Sequence, residues 1–159
     1  MPAGSRATPA FQPSLKGRAL RLLSMREHSR QELERKLAAH EASPGELHQA
    51  LDELQAKGFI SDERAAQSVL HRRAARLGTA RLKQELQAKG LDAALVAQVL
   101  EPLKGTELDR AREVWRRRYG GALPRDAHER ARQSRFLAAR GFGGEVIRSV
   151  LAGGAGEDD

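Results

Sequence analysis

The sequence contains no cysteine and few aromatic residues: one Trp, one Tyr and four Phe among 159 residues. Without cysteine, a disulfide framework and a thiolate metal site are both excluded. With so few rings, the interior must be built mainly from Leu, Val and Ala, which favours helices packed on helices over a sheet sandwich. No apolar run approaches the roughly 20 residues that span a bilayer. Because residues 1–13 also lack the apolar stretch of a secretion signal, we expect a cytoplasmic protein without membrane contacts.

Recognisable catalytic motifs are missing as well. The sequence has no Walker-type phosphate loop, no His-Glu-x-x-His, and no Ser beside a His and an acid in a known motif. The five histidines are scattered and have no neighbouring cluster of acids or cysteines, so we expect no metal site. The glycine-rich segment 141–144 follows a helical pattern rather than a strand, which indicates a turn between helices. The sequence therefore predicts a protein that is not an enzyme and has no cofactor.

Positive charge is what the sequence has in excess. It contains 28 Lys and Arg against 21 Asp and Glu, which gives a net charge of +7 and an isoelectric point near 10.5. Part of the negative charge is confined to the last three residues, Glu157–Asp159. Such a surplus favours a polyanionic partner, which could be nucleic acid, an acidic protein face or a membrane surface. The alternative is a solvated charged surface that binds nothing.

Helical periodicity runs through the chain between two irregular ends. Ser29 and Ser43 are each followed three residues later by Glu, which fits a capping box, and Pro44 is expected at a first helical position. Helix ends are predicted where a cation, a glycine and an apolar residue follow one another, at 57–59, 89–91 and 140–142, and the apolar residue is expected to fold back on the helix. The nine predicted helices span residues 15–27, 30–40, 44–57, 62–76, 80–89, 92–102, 107–118, 125–140 and 144–151.

The chain also repeats itself with a period of about 50 residues, which is long enough for three short helices per repeat. The segments Leu37–Leu54, Leu86–Leu103 and Leu137–Leu151 align, and apolar residues superpose at three positions. These positions are Leu37, Leu86 and Leu137; Leu47, Val96 and Ile147; and Leu51, Leu100 and Leu151. We predict an all-α fold of three tandem three-helix repeats (15–58, 61–103 and 106–152) in an elongated, curved array. A disordered arm (1–14) and a disordered acidic tail (153–159) are predicted to flank them.

Clustered arginine is the clearest functional signal. Five arginines surround Trp115 and Tyr119 within nine residues: Arg110, Arg112, Arg116, Arg117 and Arg118. On a helix the two aromatic residues share one apolar stripe, so we expect Trp115 in the core. Like charges repel on a short helix, and this repulsion is easier to explain if an anion binds there. Guanidinium groups bind both carboxylates and phosphates, so the arginines do not distinguish a protein partner from a DNA partner.

Further cations lie on the first predicted helix and around residues 71–83. Part of this pattern serves the helix dipole, because cations stabilise helix C-termini. The complete set of predicted partner- or DNA-binding residues is Arg18, Arg21, Arg26, Arg72, Arg73, Arg76, Lys83, Arg112, Arg116, Arg117 and Arg118.

Three ordered groups of motifs resemble the RecX family. The motifs are Ala19–Leu23 (ALRLL), Arg26 and Ser29–Leu37 (SRQELERKL); then Leu54–Ala65 (LQAKGFISDERA) and Glu85–Leu91 (ELQAKGL); then Arg116–Gly120 (RRRYG) and Phe136–Ile147 (FLAARGFGGEVI). The resemblance covers about residues 16–151. Phe59 replaces the family's usual Tyr, Ser61 stands where Asp is common, and residues 78–80 replace the usual Gly-Pro.

The resemblance implies a modular helical-repeat protein that lodges in the groove of a RecA–DNA filament. Such a protein would impede filament extension and strand exchange, and would damp ATP hydrolysis and coprotease activity, thereby moderating recombination and the SOS response. Its partner would be the RecA filament, with weaker contacts to single- or double-stranded DNA, and it would act as a monomer. The residues leave two alternatives: a stand-alone DNA-binding protein that contacts phosphates, and a structural adaptor without nucleic acid, against which the arginine clusters argue.

Overall fold

A computed structural model describes residues 12–153, and within this range the chain contains helices and loops but no strand. The predicted arm and tail lie outside the described residues, apart from residues 12–14 and 153. Of these, Ser14 belongs to the first helix as its N-cap, because its hydroxyl accepts a hydrogen bond from the Gly17 backbone N–H (3.0 Å). The described part of the chain divides between Ile60 and Ser61 into two compact units, unit 1 before this point and unit 2 after it.

Unit 1 contains one group of three helices. They are α1 (Leu15–Met25), α2 (Arg30–Leu37, continued by a 3-10 turn at Ala38–His40) and α3 (Glu46–Ala56). The predicted capping box at the start of α2 is confirmed, since Ser29 and Glu32 each bond to the other's backbone N–H. The helices enclose a core of leucines that includes Leu33, Leu37, Leu51 and Leu54.

The predicted start of α3 is wrong. Pro44 lies in a turn rather than at the first helical position, and Gly45 is the N-cap with φ +86°. The reason is that the Glu46 carboxylate accepts hydrogen bonds from the backbone N–H groups of Ala42 and Ser43. These bonds close a loop before the helix, and the Ser43 hydroxyl does not cap it.

Unit 2 contains two groups of three helices. The first group comprises α4 (Asp62–Arg73), α5 (Thr79–Ala88) and α6 (Ala93–Leu100), and a 3-10 segment (Glu101–Thr106) follows it. The second group comprises α7 (Glu107–Tyr119), α8 (Ala127–Ala139) and α9 (Gly144–Leu151). Each group encloses its own apolar cluster. All nine helices predicted between residues 15 and 151 are therefore present, with ends that differ by a few residues.

The internal repeat corresponds to the cores. All nine aligned apolar residues, from Leu37 to Leu151, are at least 93% buried. Each three-helix group buries one residue at each of the three aligned positions. The sequence repeat therefore reflects a packing arrangement that recurs in all three groups. The predicted all-α fold of three three-helix groups is thus confirmed.

Glycine ends the helices as predicted. Gly58 and Gly141 have φ of +82° and +89°, and the residue after each donates its N–H to the carbonyl five residues back, which is the Schellman arrangement (Phe59 to Leu54, 2.9 Å; Phe142 to Leu137, 3.2 Å). The expectation that the apolar residue folds back holds for Phe142, which is buried. It fails for Phe59, which remains 48% exposed.

The two helix groups of unit 2 meet through backbone contact at Gly78 and Gly141. The Gly78 N–H donates to the Arg140 carbonyl (2.8 Å). A Cβ on Gly78 would lie 2.2 Å from the Gly141 carbonyl oxygen, and a Cβ on Gly141 would lie 2.3 Å from the Arg81 Cβ. The contact therefore leaves no room for a side chain at either glycine.

A buried hydrogen bond between Trp115 and Gln133 stabilises the group α7–α9. Trp115 is buried as predicted, and its indole N–H donates to the Gln133 side-chain oxygen (2.8 Å). The Gln133 amide nitrogen donates in turn to the Ala122 carbonyl (3.1 Å) in the loop between α7 and α8. One glutamine thus joins the helix that carries the arginine cluster to the loop that follows it.

Gln133→Leu is expected to destabilise unit 2 by about 1–3 kcal/mol, because it removes the partners of the buried indole N–H and the Ala122 carbonyl. Urea unfolding followed by fluorescence of Trp115, the only tryptophan, measures the loss. The exposed Ser149 on α9, changed to Ala, provides a control that should shift stability by less than about 0.5 kcal/mol. Equal stability of the Gln133→Leu variant and the wild type would contradict the role assigned to the glutamine.

Candidate functional site

The arginine cluster on α7 divides between the interior and the surface. Arg110 points inward, and one guanidinium nitrogen donates to the carbonyl of Ala74 (2.8 Å) and also to that of Leu77. A second nitrogen lies 3.5 Å from the Thr79 hydroxyl. Arg110 thus binds carbonyl groups at the end of α4 and in the loop that follows. It is a structural link between the helix groups of unit 2, and not a cation available to a partner.

Burial explains the electrostatics of Arg110. Desolvation lowers the pKa of its guanidinium from the ordinary value, with nearby Glu107 acting in the opposite direction. The two carbonyl acceptors belong to residues on either side of Ala75 and Arg76. Since both ends of this short segment are bound by one side chain, the backbone that carries Arg76 has a defined position.

The other α7 arginines face outward. Arg116, Arg117 and Arg118 are all exposed. Arg117 pairs with Glu113 one turn earlier (3.0 Å), whereas Arg118 lies over the rings of Tyr119 (5.2 Å) and Phe136 (5.9 Å). Within residues 12–153, no carboxylate lies in ion-pair range of Arg116 or Arg118. The repulsion predicted between the arginines of α7 is therefore only partly offset by the acidic residues of the same helix.

An open cleft of about 360 Å³ is lined by four arginines of unit 2. Arg76 comes from the loop after α4, Arg117 and Arg118 come from α7, and Arg140 caps the C-terminus of α8. Apolar contacts come from Ala75, Val114 and Phe136. The Arg140 guanidinium lies 5.2 Å from the Phe136 ring centroid. Three of the predicted binding residues therefore meet here, together with a fourth arginine that the prediction did not include.

The other predicted binding residues of unit 2 have different surroundings. Arg73 makes a two-pronged ion pair with Glu85 (2.8 and 3.2 Å), and this hydrogen bonding raises the pKa of its guanidinium. Arg72 is exposed and bonds the Ser68 carbonyl (3.3 Å), while the Arg112 guanidinium lies 3.9 Å from the Asp109 carboxylate. Lys83 borders a separate groove between α5 and α6. These four side chains do not line the arginine cleft.

Unit 1 carries the remaining three predicted residues. Arg18 and Arg21 border a mainly apolar groove of about 540 Å³ that is also lined by Leu22 and Met25. Arg26 donates to the Glu32 carboxylate (2.7 Å) and to the Glu27 carbonyl (2.8 Å). Arg26 thus supports the loop before α2, whereas Arg18 and Arg21 present positive charge beside exposed apolar surface.

The described residues offer no group of three or more His, Asp and Glu side chains that could hold a metal ion. Among these same residues, no helix has the length and apolar character needed to cross a membrane.

Comparison with known proteins identifies the family of the chain. Models of the first, second and third three-helix domains of RecX match residues 16–54, 61–100 and 106–151, respectively. The chain belongs to the RecX family. The three matched domains correspond to the helix groups α1–α3, α4–α6 and α7–α9, so the arginine cleft lies between the second and third RecX domains.

Curated relatives support the assignment along most of the sequence. Regulatory protein RecX of Leptothrix cholodnii is 56% identical over 140 residues, which cover 88% of each chain. Regulatory protein RecX of Ralstonia nicotianae is 48% identical over 147 residues, which cover 92% of each chain. The chain is therefore a member of a family of regulatory proteins.

A solved structure shows the same fold at low sequence identity. The crystal structure of RecX from Lactobacillus salivarius matches with a TM-score of 0.72 and 20% identity, covering 88% of this chain and 94% of that one. The RecX fold is thus retained while most of its side chains change.

Sequence reasoning missed two features of the candidate site. Arg140 was interpreted as a helix-terminal cation, and the cleft that it lines becomes visible only when α4 and α8 are placed together. Arg110 belongs to the arginine cluster of the sequence, but its inward position could not be predicted, because nothing in its local sequence shows that its acceptors lie 33 and 36 residues earlier in the chain.

Proposed function

We propose that this RecX-family protein binds the RecA–DNA filament and inhibits its recombinase, ATPase and coprotease activities, thereby moderating recombination and the SOS response. The observation that carries the proposal is the exposed guanidinium surface of unit 2, in a chain that matches all three RecX domains. A nucleoprotein filament presents phosphates and acidic side chains over a long distance, and such a partner suits a surplus of arginine. We further propose that the protein acts as a monomer in the cytoplasm.

Within this proposal, Arg116, Arg117 and Arg118 are the central contacts on the partner-facing surface. They are exposed, they lie on one turn of α7, and only Arg117 has an ion pair among the described residues. Arg112 would add a contact from the same helix, and Arg72 and Arg76 would add contacts from α4 and the loop after it. Arg26 and Arg73 would contribute less, since both already pair with carboxylates.

Changing Arg116, Arg117 and Arg118 together to Glu should raise the concentration needed for half-inhibition of RecA-catalysed ATP hydrolysis on single-stranded DNA at least about tenfold. A loss of about 1.4 kcal/mol of binding energy suffices for this change, and each charge-assisted hydrogen bond contributes about 1.5–3 kcal/mol. The melting temperature should stay close to that of the wild type, because the three side chains are exposed.

The matched control changes Arg130, Arg132 and Arg135 to Glu. These arginines are also exposed and lie on α8, so the net charge changes equally while α7 remains intact. Inhibition that survives the α7 change, or falls equally in both variants, would contradict the assigned surface. A wild-type protein that leaves RecA unaffected at a few micromolar but binds naked DNA would favour the second candidate, a stand-alone DNA-binding protein.

A further inference from the structure

The mainly apolar groove of unit 1, called the α1 groove, has a floor that remains accessible. It has a volume of about 540 Å³ and is lined by α1 and by the end of α2 with its 3-10 turn. Leu22 and Met25 of α1 and Leu37 of α2 contribute the apolar side chains. Met25 is 74% exposed, the largest exposed fraction among the large hydrophobic side chains of residues 12–153. An exposed, flexible methionine is typical of surfaces that adapt to an apolar partner.

The titratable side chains that line the α1 groove are three cations and one histidine. Arg18 and Arg21 lie on α1, whereas Lys36 and His40 lie near the end of α2. No carboxylate lines the groove, and the ion pairs of unit 1 within the described range do not involve Arg18 or Arg21. Lys36 lies 3.2 Å from a ring nitrogen of His28, whose pKa is lowered by burial, so this partner is neutral. Uncompensated positive charge therefore borders the apolar floor.

Gly17 leaves space at one end of the α1 groove. Glycine weakens a helix relative to alanine, and packing does not require it at this position. An added Cβ would lie 3.2 Å from the Ser14 hydroxyl oxygen and 3.7 Å from the Pro13 Cβ, and a small movement of the hydroxyl relieves the closer contact. The glycine thus widens the groove at a cost to the helix.

Charge and shape together favour an acidic amphipathic helix as the occupant of the α1 groove. The 11 residues of α1 extend about 16 Å, so a partner helix of about three turns can lie along it. Apolar residues on one face of such a helix would contact the floor, and acidic residues beside them would meet the cations. A nucleic-acid strand fits less well, because no Phe, Tyr or Trp lines the groove for bases to stack on. Residues 1–13 of the chain itself contain Arg6 and no acid, so they do not complement the charge.

We propose that the α1 groove binds an acidic amphipathic helix of a partner protein. Leu22 and Met25 contact the apolar face of this helix, and Arg18, Arg21 and Lys36 contact its carboxylates. The apolar contact supplies most of the affinity, whereas the exposed charges select an acidic partner and speed its association. The inference goes beyond the proposed function, because it assigns a second binding surface, on unit 1, to a protein ligand. Its test contains no RecA, so either proposal can fail while the other stands.

The test is the binding of a fluorescein-labelled peptide of about 15 residues to the full chain, measured by anisotropy. The peptide carries Leu at the helical spacing i, i+3, i+4 and i+7 and Glu at the other positions. M25S removes an exposed apolar contact and R21E reverses an exposed charge, and each should weaken binding at least about fivefold. The controls F59S and K57E change an exposed apolar residue and an exposed cation of unit 1 outside the groove. Each control should alter the affinity less than about twofold, since it touches no contact residue.

G17L separates loss of binding from loss of stability. Leucine is a better helix former than glycine, so the melting temperature of this variant should equal or exceed that of the wild type. The added side chain occupies the groove, and peptide affinity should therefore fall at least about tenfold. Two control peptides test the chemistry of the ligand. One has the same residues with Leu spread around the helix, the other has Lys in place of Glu, and both should bind at least about tenfold more weakly than the acidic amphipathic peptide.

Four results would overturn the proposal. The first is a wild-type protein that does not bind the acidic peptide at concentrations up to about 100 μM. The second is equal affinity of the wild type and the M25S variant for this peptide. The third is R21E weakening the binding of the oligonucleotide dT20 but not of the peptide, which would assign the groove to nucleic acid. The fourth is a wild-type dimer that M25S dissociates, which would assign the groove to a second copy of the chain.

Discussion

Replacing Gly141 with alanine is expected to destabilise unit 2 by about 2–5 kcal/mol. Two costs combine. The residue has φ +89°, which an L side chain adopts only at a cost of about 1–2 kcal/mol. The new Cβ would lie 2.3 Å from the Arg81 Cβ and 2.5 Å from its backbone nitrogen, and forcing atoms into a packed site costs about 1–3 kcal/mol more. Urea unfolding monitored by Trp115 fluorescence measures the loss.

The matched control for this change is Gly120→Ala. Gly120 also ends a helix of unit 2 with positive φ (+63°), but nothing lies within 4 Å of its added Cβ. The control should therefore lose only the conformational part, about 1–2 kcal/mol. If both variants lose the same free energy of unfolding, the close approach of the two backbones contributes nothing to stability, and the structural account of the glycine contact is wrong.

Arg110→Ala is expected to destabilise unit 2 by about 3–5 kcal/mol, although arginine is ordinarily a surface residue. The guanidinium donates to the carbonyls of Ala74 and Leu77, and hydrogen bonds to charged groups contribute about 1.5–3 kcal/mol each. Removing the side chain leaves both carbonyls without this donor, between the two helix groups. The change also releases the segment that carries Arg76, so the contact of Arg76 with the proposed partner should weaken together with the stability of unit 2.

Two further variants make this prediction specific to the Arg110 contacts. Arg112→Ala removes an arginine of the same helix whose nearest acid, Asp109, lies 3.9 Å away, and it should cost less than about 1 kcal/mol. Arg110→Lys keeps the charge but loses the planar arrangement of donors, so it should recover only part of the stability. A loss below about 1 kcal/mol for Arg110→Ala, measured by urea unfolding, would show that the buried guanidinium is dispensable.

Much of the fold could be predicted because its determinants are local. Ser29 and Glu32 cap α2 within one turn, and glycines such as Gly58 end helices within the residues that precede them. The repeated leucines specify the cores, because each three-helix group buries the same positions. The start of α3 was mispredicted where two local signals compete: Pro44 can begin a helix, but the Glu46 carboxylate closes a turn around it.

The candidate site was less predictable, because it depends on contacts between the second and third RecX domains. Arg110 and Arg118 occur in the same arginine-rich stretch, yet one is held by backbone carbonyls and the other lies beside a cleft. Arg140 looks from sequence like an ordinary helix-terminal cation. The sequence does not show that Gly78 contacts Gly141, because the two residues are distant in sequence. This contact brings Arg76 and Arg140 to opposite walls of the arginine cleft.

The glycine pair has a consequence for the cooperativity of the molecule. In a repeat protein, stability is approximately a sum of the stability of each repeat and the coupling between neighbours, so a strong coupling makes adjacent repeats unfold together. Gly78 and Gly141 bring the two main chains into van der Waals contact. Neither repeat can therefore open at this point without breaking the hydrogen bond between the Gly78 N–H and the Arg140 carbonyl and exposing both groups. The second and third RecX domains should therefore form one foldon, with a shared opening free energy in hydrogen exchange.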